Sequence, residues 1–113
     1  MTARNIPRFL STAAVICAML LPPAANAAGD AKAGRQKARQ CQTCHGLDGL
    51  SKLPEAPNIA GQVEPYLVKS LGEYRDGTRK NEMMSVVAPT LSDQDIADLA
   101  AYFSSIEIVV NRP

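Results

Sequence analysis

Two thiols and an imidazole within five residues, Cys41-Gln42-Thr43-Cys44-His45, constrain this chain more than any other stretch. On a helical turn, residues three apart share a face, so the two sulfurs project together and the imidazole follows at once. This is the attachment pattern of c-type haem. Each thiol adds to one vinyl group, and the histidine binds the iron as an axial ligand. Competing uses of the same residues are poorly supported. A redox dithiol belongs near a βαβ pattern, and no strand run is visible. A disulfide here would close a very short loop and stabilise little. Zinc needs about four ligands, yet His45 is the only histidine and no second cysteine pair follows.

The third cysteine, Cys17, falls in what reads as a leader. Arg4 and Arg8 open it, Phe9 to Leu21 form an apolar run, Pro22 and Pro23 break that run, and Ala25-Asn26-Ala27 offers small residues for cleavage. The run is shorter than the ~20 residues a bilayer-spanning helix needs. A signal peptide over 1–27, cleaved after Ala27, is therefore expected, with export to the periplasm and one domain over 28–113. Removing residues 1–27 from the 113 leaves 86. The 12 Lys/Arg then fall to 10 against 11 Asp/Glu, which excludes a polybasic nucleic-acid binder. Only four aromatics remain, Tyr66, Tyr74, Tyr102 and Phe103, and there is no tryptophan. A chain this small and this poor in bulky side chains needs a staple or a buried group, which a porphyrin would supply.

The remaining pattern is all-α, with about four helices and no sheet. Asp30 suits the cap of a helix from about Ala31 to Gln40, on which Ala31, Gly34, Ala38 and Cys41 form a small-residue stripe. Lys32, Arg35, Lys37 and Arg39 surround it as a solvated basic face. Residues 46–61, rich in Gly and Pro, read as loop. Pro65 and Gly77 mark the start and stop of a second helix with Tyr66, Leu67, Leu71 and Tyr74 on its apolar side. A short helix is expected from about Asn81 to Val87, ending before Pro89. Ser92 with Asp95 resembles a capping box, opening a last helix with Ile96, Leu99, Ala100, Phe103 and Ile106 inward.

A haem iron bound by one histidine has a sixth position. Water or a vacancy there permits gas binding or peroxidase chemistry, whereas a Met thioether favours electron transfer. Outside the leader the candidates are the adjacent Met83 and Met84, and chemistry alone does not choose between them.

The chain resembles the class I c-type cytochromes, in particular small monohaem proteins of the cytochrome c553/c5 kind and single domains of cytochrome c4. The matching stretches are Gly29-Asp30-Ala31 with Gly34, the Cys41–His45 motif with Gly46, Pro57-Asn58-Ile59-Ala60-Gly61-Gln62, Tyr66-Leu67, and Tyr74-Arg75-Asp76-Gly77-Thr78-Arg79. Met84-Ser85, Leu91-Ser92-Asp93-Gln94-Asp95-Ile96 and Leu99-Ala100-Ala101-Tyr102-Phe103 complete the match. The resemblance implies one haem c held by Cys41 and Cys44, with His45 and Met84 as axial ligands. It also implies that the Pro57 carbonyl accepts a hydrogen bond from the His45 ring, that Gly34 meets the Leu99/Tyr102 face, and that Arg79 lies near a haem propionate. An exposed arginine beside Gly77 is the alternative for Arg79. The implied function is that of a periplasmic one-electron carrier, not an enzyme, docking transiently with redox proteins. Neither a nucleic acid nor a small-molecule substrate is expected, and membrane contact comes only through partner complexes. Charged faces on the first helix and at Asp93, Asp95 and Asp98 are candidates for steering that docking. The alternatives are the haem c subunit of a flavoprotein or quinoprotein dehydrogenase, and a five-coordinate haem enzyme or gas sensor.

Overall fold

The computed structural model describes residues 28–112; the expected leader, its expected cleavage site and Cys17 lie outside the described residues. Its helices are α1 (Ala31–Lys37), α2 (Gln42–His45), α3 (Glu64–Asp76), α4 (Met84–Val87) and α5 (Asp93–Ser104). Two 3-10 turns, Ala38–Gln40 and Ala88–Thr90, extend α1 and α4, and no strand occurs among the described residues.

Local chemistry explains the helix ends. The Asp30 carboxylate accepts from the backbone N–H of Lys32 at 2.7 Å and of Ala33 at 3.1 Å, satisfying two otherwise orphaned donors. Glu64 precedes Pro65 in the first turn of α3, so Pro65 lies in the first turn as expected. Gly77 stops that helix with φ of +84°, a conformation that disfavours side chains with a Cβ. At α5 the capping box is complete: the Ser92 hydroxyl accepts from Asp95 N–H, and the Asp95 carboxylate accepts from Ser92 N–H.

Two expectations about the helices change. The first helix does not run to Gln40 as one α-helix but tightens to a 3-10 turn over Ala38–Gln40. The short helix expected from about Asn81 opens only at Met84. It ends at Val87 as expected, and a separate 3-10 turn carries the chain through Pro89, because a proline in a first turn needs no N–H.

The core forms where α1 crosses α5. A Cβ on Gly34 would lie 1.9 Å from the Asp98 carbonyl oxygen and 2.7 Å from Tyr102 Cβ, so only glycine permits this approach. The face that meets Gly34 is thus Asp98/Tyr102, while Leu99 turns into the core. Ala38, Leu67, Leu91, Ile96, Leu99, Ala100 and Phe103 fill that core, and Leu99 is its largest fully buried side chain.

Lys37 and the three aspartates of the charged faces are paired, while Lys32, Arg35 and Arg39 stay exposed. Lys37 pairs with Asp95 at 2.8 Å and with Asp98 at 2.6 Å. Asp98 is buried and also accepts from Asp30 N–H and the Gln94 amide, each at 2.8 Å. Asp93 pairs with Arg75 at 2.7 Å. Lys37, Asp95 and Asp98 thus clasp the first and last helices together. The cause is proximity: the close helix crossing brings the two faces within reach of each other.

Candidate haem site

The motif closes onto itself as a single turn. Cys44 N–H and His45 N–H both turn back to the Cys41 carbonyl, at 3.3 and 3.0 Å, and Gly46 ends the turn with φ of +72°. Cys41 and Cys44 are both free and half-buried, so the thiols remain available for chemistry. Burial first, and then the charge of Cys44, pushes the Cys41 thiol up to about 11.

The His45 ring is buried, and its Nδ1 lies 2.9 Å from the Pro57 carbonyl oxygen. A carbonyl oxygen can only accept, so Nδ1 carries a proton, and in the neutral ring that leaves the lone pair on Nε2. Among the described residues no hydrogen bond engages Nε2, which leaves it open to a metal. The loop holds Pro57 in place through its own backbone. Ile59 N–H and Ala60 N–H donate to the Gly49 carbonyl at 2.8 and 3.0 Å, and Lys52 N–H donates to the Cys44 carbonyl at 2.9 Å. The Asn58 amide oxygen accepts from Ser51 N–H at 2.7 Å, and Gly61 N–H reaches the Phe103 carbonyl at 2.8 Å. Tyr102 adds a contact that periodicity does not reveal, donating its hydroxyl to the Leu47 carbonyl at 2.6 Å and tying α5 to the start of the loop.

Downstream, Met84 opens α4 and is half-buried, whereas Met83 is 61% exposed. Arg79 is not a bare surface arginine. Its guanidinium donates to Ser70 Oγ at 3.1 Å and lies 4.8 Å over the Tyr74 ring. It also holds the neighbouring Tyr66 hydroxyl below its ordinary pKa.

These residues fit a covalently attached haem. The donor set is two thiols on one turn beside an imidazole whose free nitrogen is fixed by tautomer. Seven of the ten large hydrophobics left exposed among the described residues fall between Leu50 and Val86, in the stretch that follows His45, so this stretch has apolar surface that the protein itself leaves uncovered. A zinc site is not matched, since no group of three or more His, Cys, Asp or Glu converges among the described residues.

Comparison with known proteins agrees. The cytochrome c family model matches residues 31–107. Cytochrome c4 of Pseudomonas aeruginosa is 50% identical over 86 residues, covering 76% of this chain and 43% of its own length. Cytochrome c-554(548) of Halomonas halodenitrificans is 51% identical over 83 residues, covering 71% of this chain and all of its own. Reduced recombinant cytochrome c4 from Pseudomonas stutzeri superposes with a TM-score of 0.67 at 45% identity, over 71% of this chain and 47% of that structure. The chain thus spans under half the length of the cytochrome c4 proteins it matches, and the whole length of the smaller relative. Through its fold, its paired thiols and these relatives alike, the chain belongs to the cytochrome c family, as a class I c-type cytochrome whose haem c is bound through Cys41 and Cys44.

Proposed function

We propose that this chain is a periplasmic monohaem electron carrier that passes single electrons between respiratory or photosynthetic redox proteins. The observation that supports this reading best is the 2.9 Å bond from His45 Nδ1 to the Pro57 carbonyl, beside the two thiols. Haem c, when bound, supplies an iron that alternates between the ferric and ferrous states. His45 offers Nε2 to that iron, and the Pro57 carbonyl fixes the ring and raises its donor strength. Met84 would offer its thioether as the second ligand; it is half-buried, which favours it over the exposed Met83. With both residues held by the iron, no position would be left for a substrate, so the protein would carry charge without transforming a molecule.

The partners in this reading are redox proteins that dock briefly through small interfaces. Among the described residues no helix is long and apolar enough to cross a membrane, which is compatible with export as a free protein after cleavage at Ala27. Three measurements test the reading. The ferric protein should show the near-infrared band of an iron–thioether bond, retained in Met83→Ala and lost in Met84→Ala. The native ferrous protein at neutral pH should not bind carbon monoxide; binding would support an open-site haem enzyme or sensor instead. Gel filtration of the native protein should show it eluting alone, whereas co-elution with a catalytic subunit would make it part of a dehydrogenase.

A further inference from the structure

The turn that carries Met84 is held by side-chain and backbone hydrogen bonds more than by burial. None of the α4 residues is buried, Met83 is 61% exposed and Val86 is 71% exposed. A four-residue helix is too short to persist by itself. What holds it is Asn81. The Asn81 amide oxygen accepts from Met83 N–H and from Met84 N–H, both at 3.0 Å. In return Asn81 N–H donates to Ser85 Oγ at 3.0 Å, and Ser85 N–H donates to the Asn81 carbonyl at 3.0 Å. The arrangement has the reciprocal logic of a capping box, with Asn81 and Ser85 as its two members. Two residues upstream the chain is fastened to α3. Arg79 N–H donates to the Glu73 carbonyl at 3.0 Å, and the Arg79 side chain is engaged by Ser70 and Tyr74. The backbone therefore enters the cap from a fixed point.

We propose that Asn81 is a positioning residue for the iron–Met84 bond: its cap holds the Met84 turn in place, and without it the thioether gives way more readily to other ligands. The proposal rests on the reading of Met84 as the axial ligand. An incoming ligand binds only the fraction of molecules whose Met84 turn has swung aside, so its apparent affinity scales with that fraction. Loss of an Asn cap shifts such an equilibrium by about fivefold.

The test is an imidazole titration of the full-length ferric holoprotein, followed by its absorption spectrum. Asn81→Ala should lower the apparent imidazole Kd by about fivefold, and Asn81→Asp, which keeps an acceptor oxygen, should restore the wild-type value. Ser85→Ala should lower it by a smaller factor. Ser92→Ala removes the cap of α5 and should lower the Tm while leaving imidazole binding unchanged. Wild-type affinity in Asn81→Ala overturns the proposal, as does a drop in Kd that Asn81→Asp fails to restore. An equal drop in Ser92→Ala also overturns it, because general loosening would then suffice. If Asn81→Ala does not accumulate, unchanged affinity in Ser85→Ala overturns it alone. Met84→Ala separates this from the ligand assignment: an unaltered near-infrared band and Kd in that variant would refute Met84 as ligand.

Discussion

Where α1 crosses α5, the backbones touch at Gly34, and Asp98 takes three donors from Asp30, Lys37 and Gln94. Between Leu50 and Val86, by contrast, large apolar side chains stand exposed and the Met84 turn hangs on a side-chain cap. The ends of the chain carry their own complementarity, in shape and in charge. The middle leaves much of its apolar surface without protein cover. A fold so divided gains stability at the helix crossing and spends its sequence elsewhere on a ligand, which is how residues 28–113, with four aromatics among them, manage both.

That contrast can be attacked from either side. The largest effect is expected in the middle. A Cys41→Ala/Cys44→Ala variant should lose covalent haem altogether, read as absent haem staining on a denaturing gel. Retained staining would remove the thioethers from the site. At the crossing, Gly34→Ala should cost about 3 kcal/mol, because its new methyl meets the Asp98 carbonyl. Guanidinium unfolding of the ferric protein measures this, and a cost below about 1 kcal/mol would mean that the helices can separate freely.

Asp98→Asn should cost about 2 kcal/mol, the scale of hydrogen bonds to a charged group. The same clasp sets an acid limit. The Lys37 ammonium, then the N–H and hydroxyl of Ser92, hold Asp95 at about 2, and Lys37 with Asp30 N–H likewise holds Asp98 below the ordinary carboxylate range. Both carboxylates have lower pKa values folded than unfolded, so they stabilise the protein above about pH 4 and lose that contribution as pH falls toward about 2. Thermal melts from pH 5 to pH 2 should show the drop, less steeply in Asp98→Asn. The smallest effect belongs to the exposed Lys69–Glu73 pair on α3, where Lys69→Ala should change stability by less than about 0.5 kcal/mol.

Local signals made much of this readable from residues alone. Asp30, Pro65 with Gly77, and Ser92 with Asp95 each mark a helix end through neighbours within a few positions, and the five-residue motif carries its own geometry. Pairings across the chain were not readable. Lys37 lies 61 residues from Asp98 and Tyr102 lies 55 from Leu47, so nothing local distinguishes a solvated charge from a clasped one. The winding through Pro89 was missed for a different reason: proline forbids one hydrogen bond, not every helical turn. Asn81 did leave a trace, an Asn three before Met84 and four before Ser85, but short polar residues of that spacing are too common to single out.

The atom that meets His45 Nδ1 belongs to the main chain. No substitution at position 57 can delete it; only a displacement of the backbone can. Imidazole basicity is therefore governed by the posture of residues 46–61, where a change at Gly49 or Asn58 acts at a distance through the path of the chain. In such a design, redox tuning is inherited by architecture, and mutation adjusts it by degrees instead of switching it off.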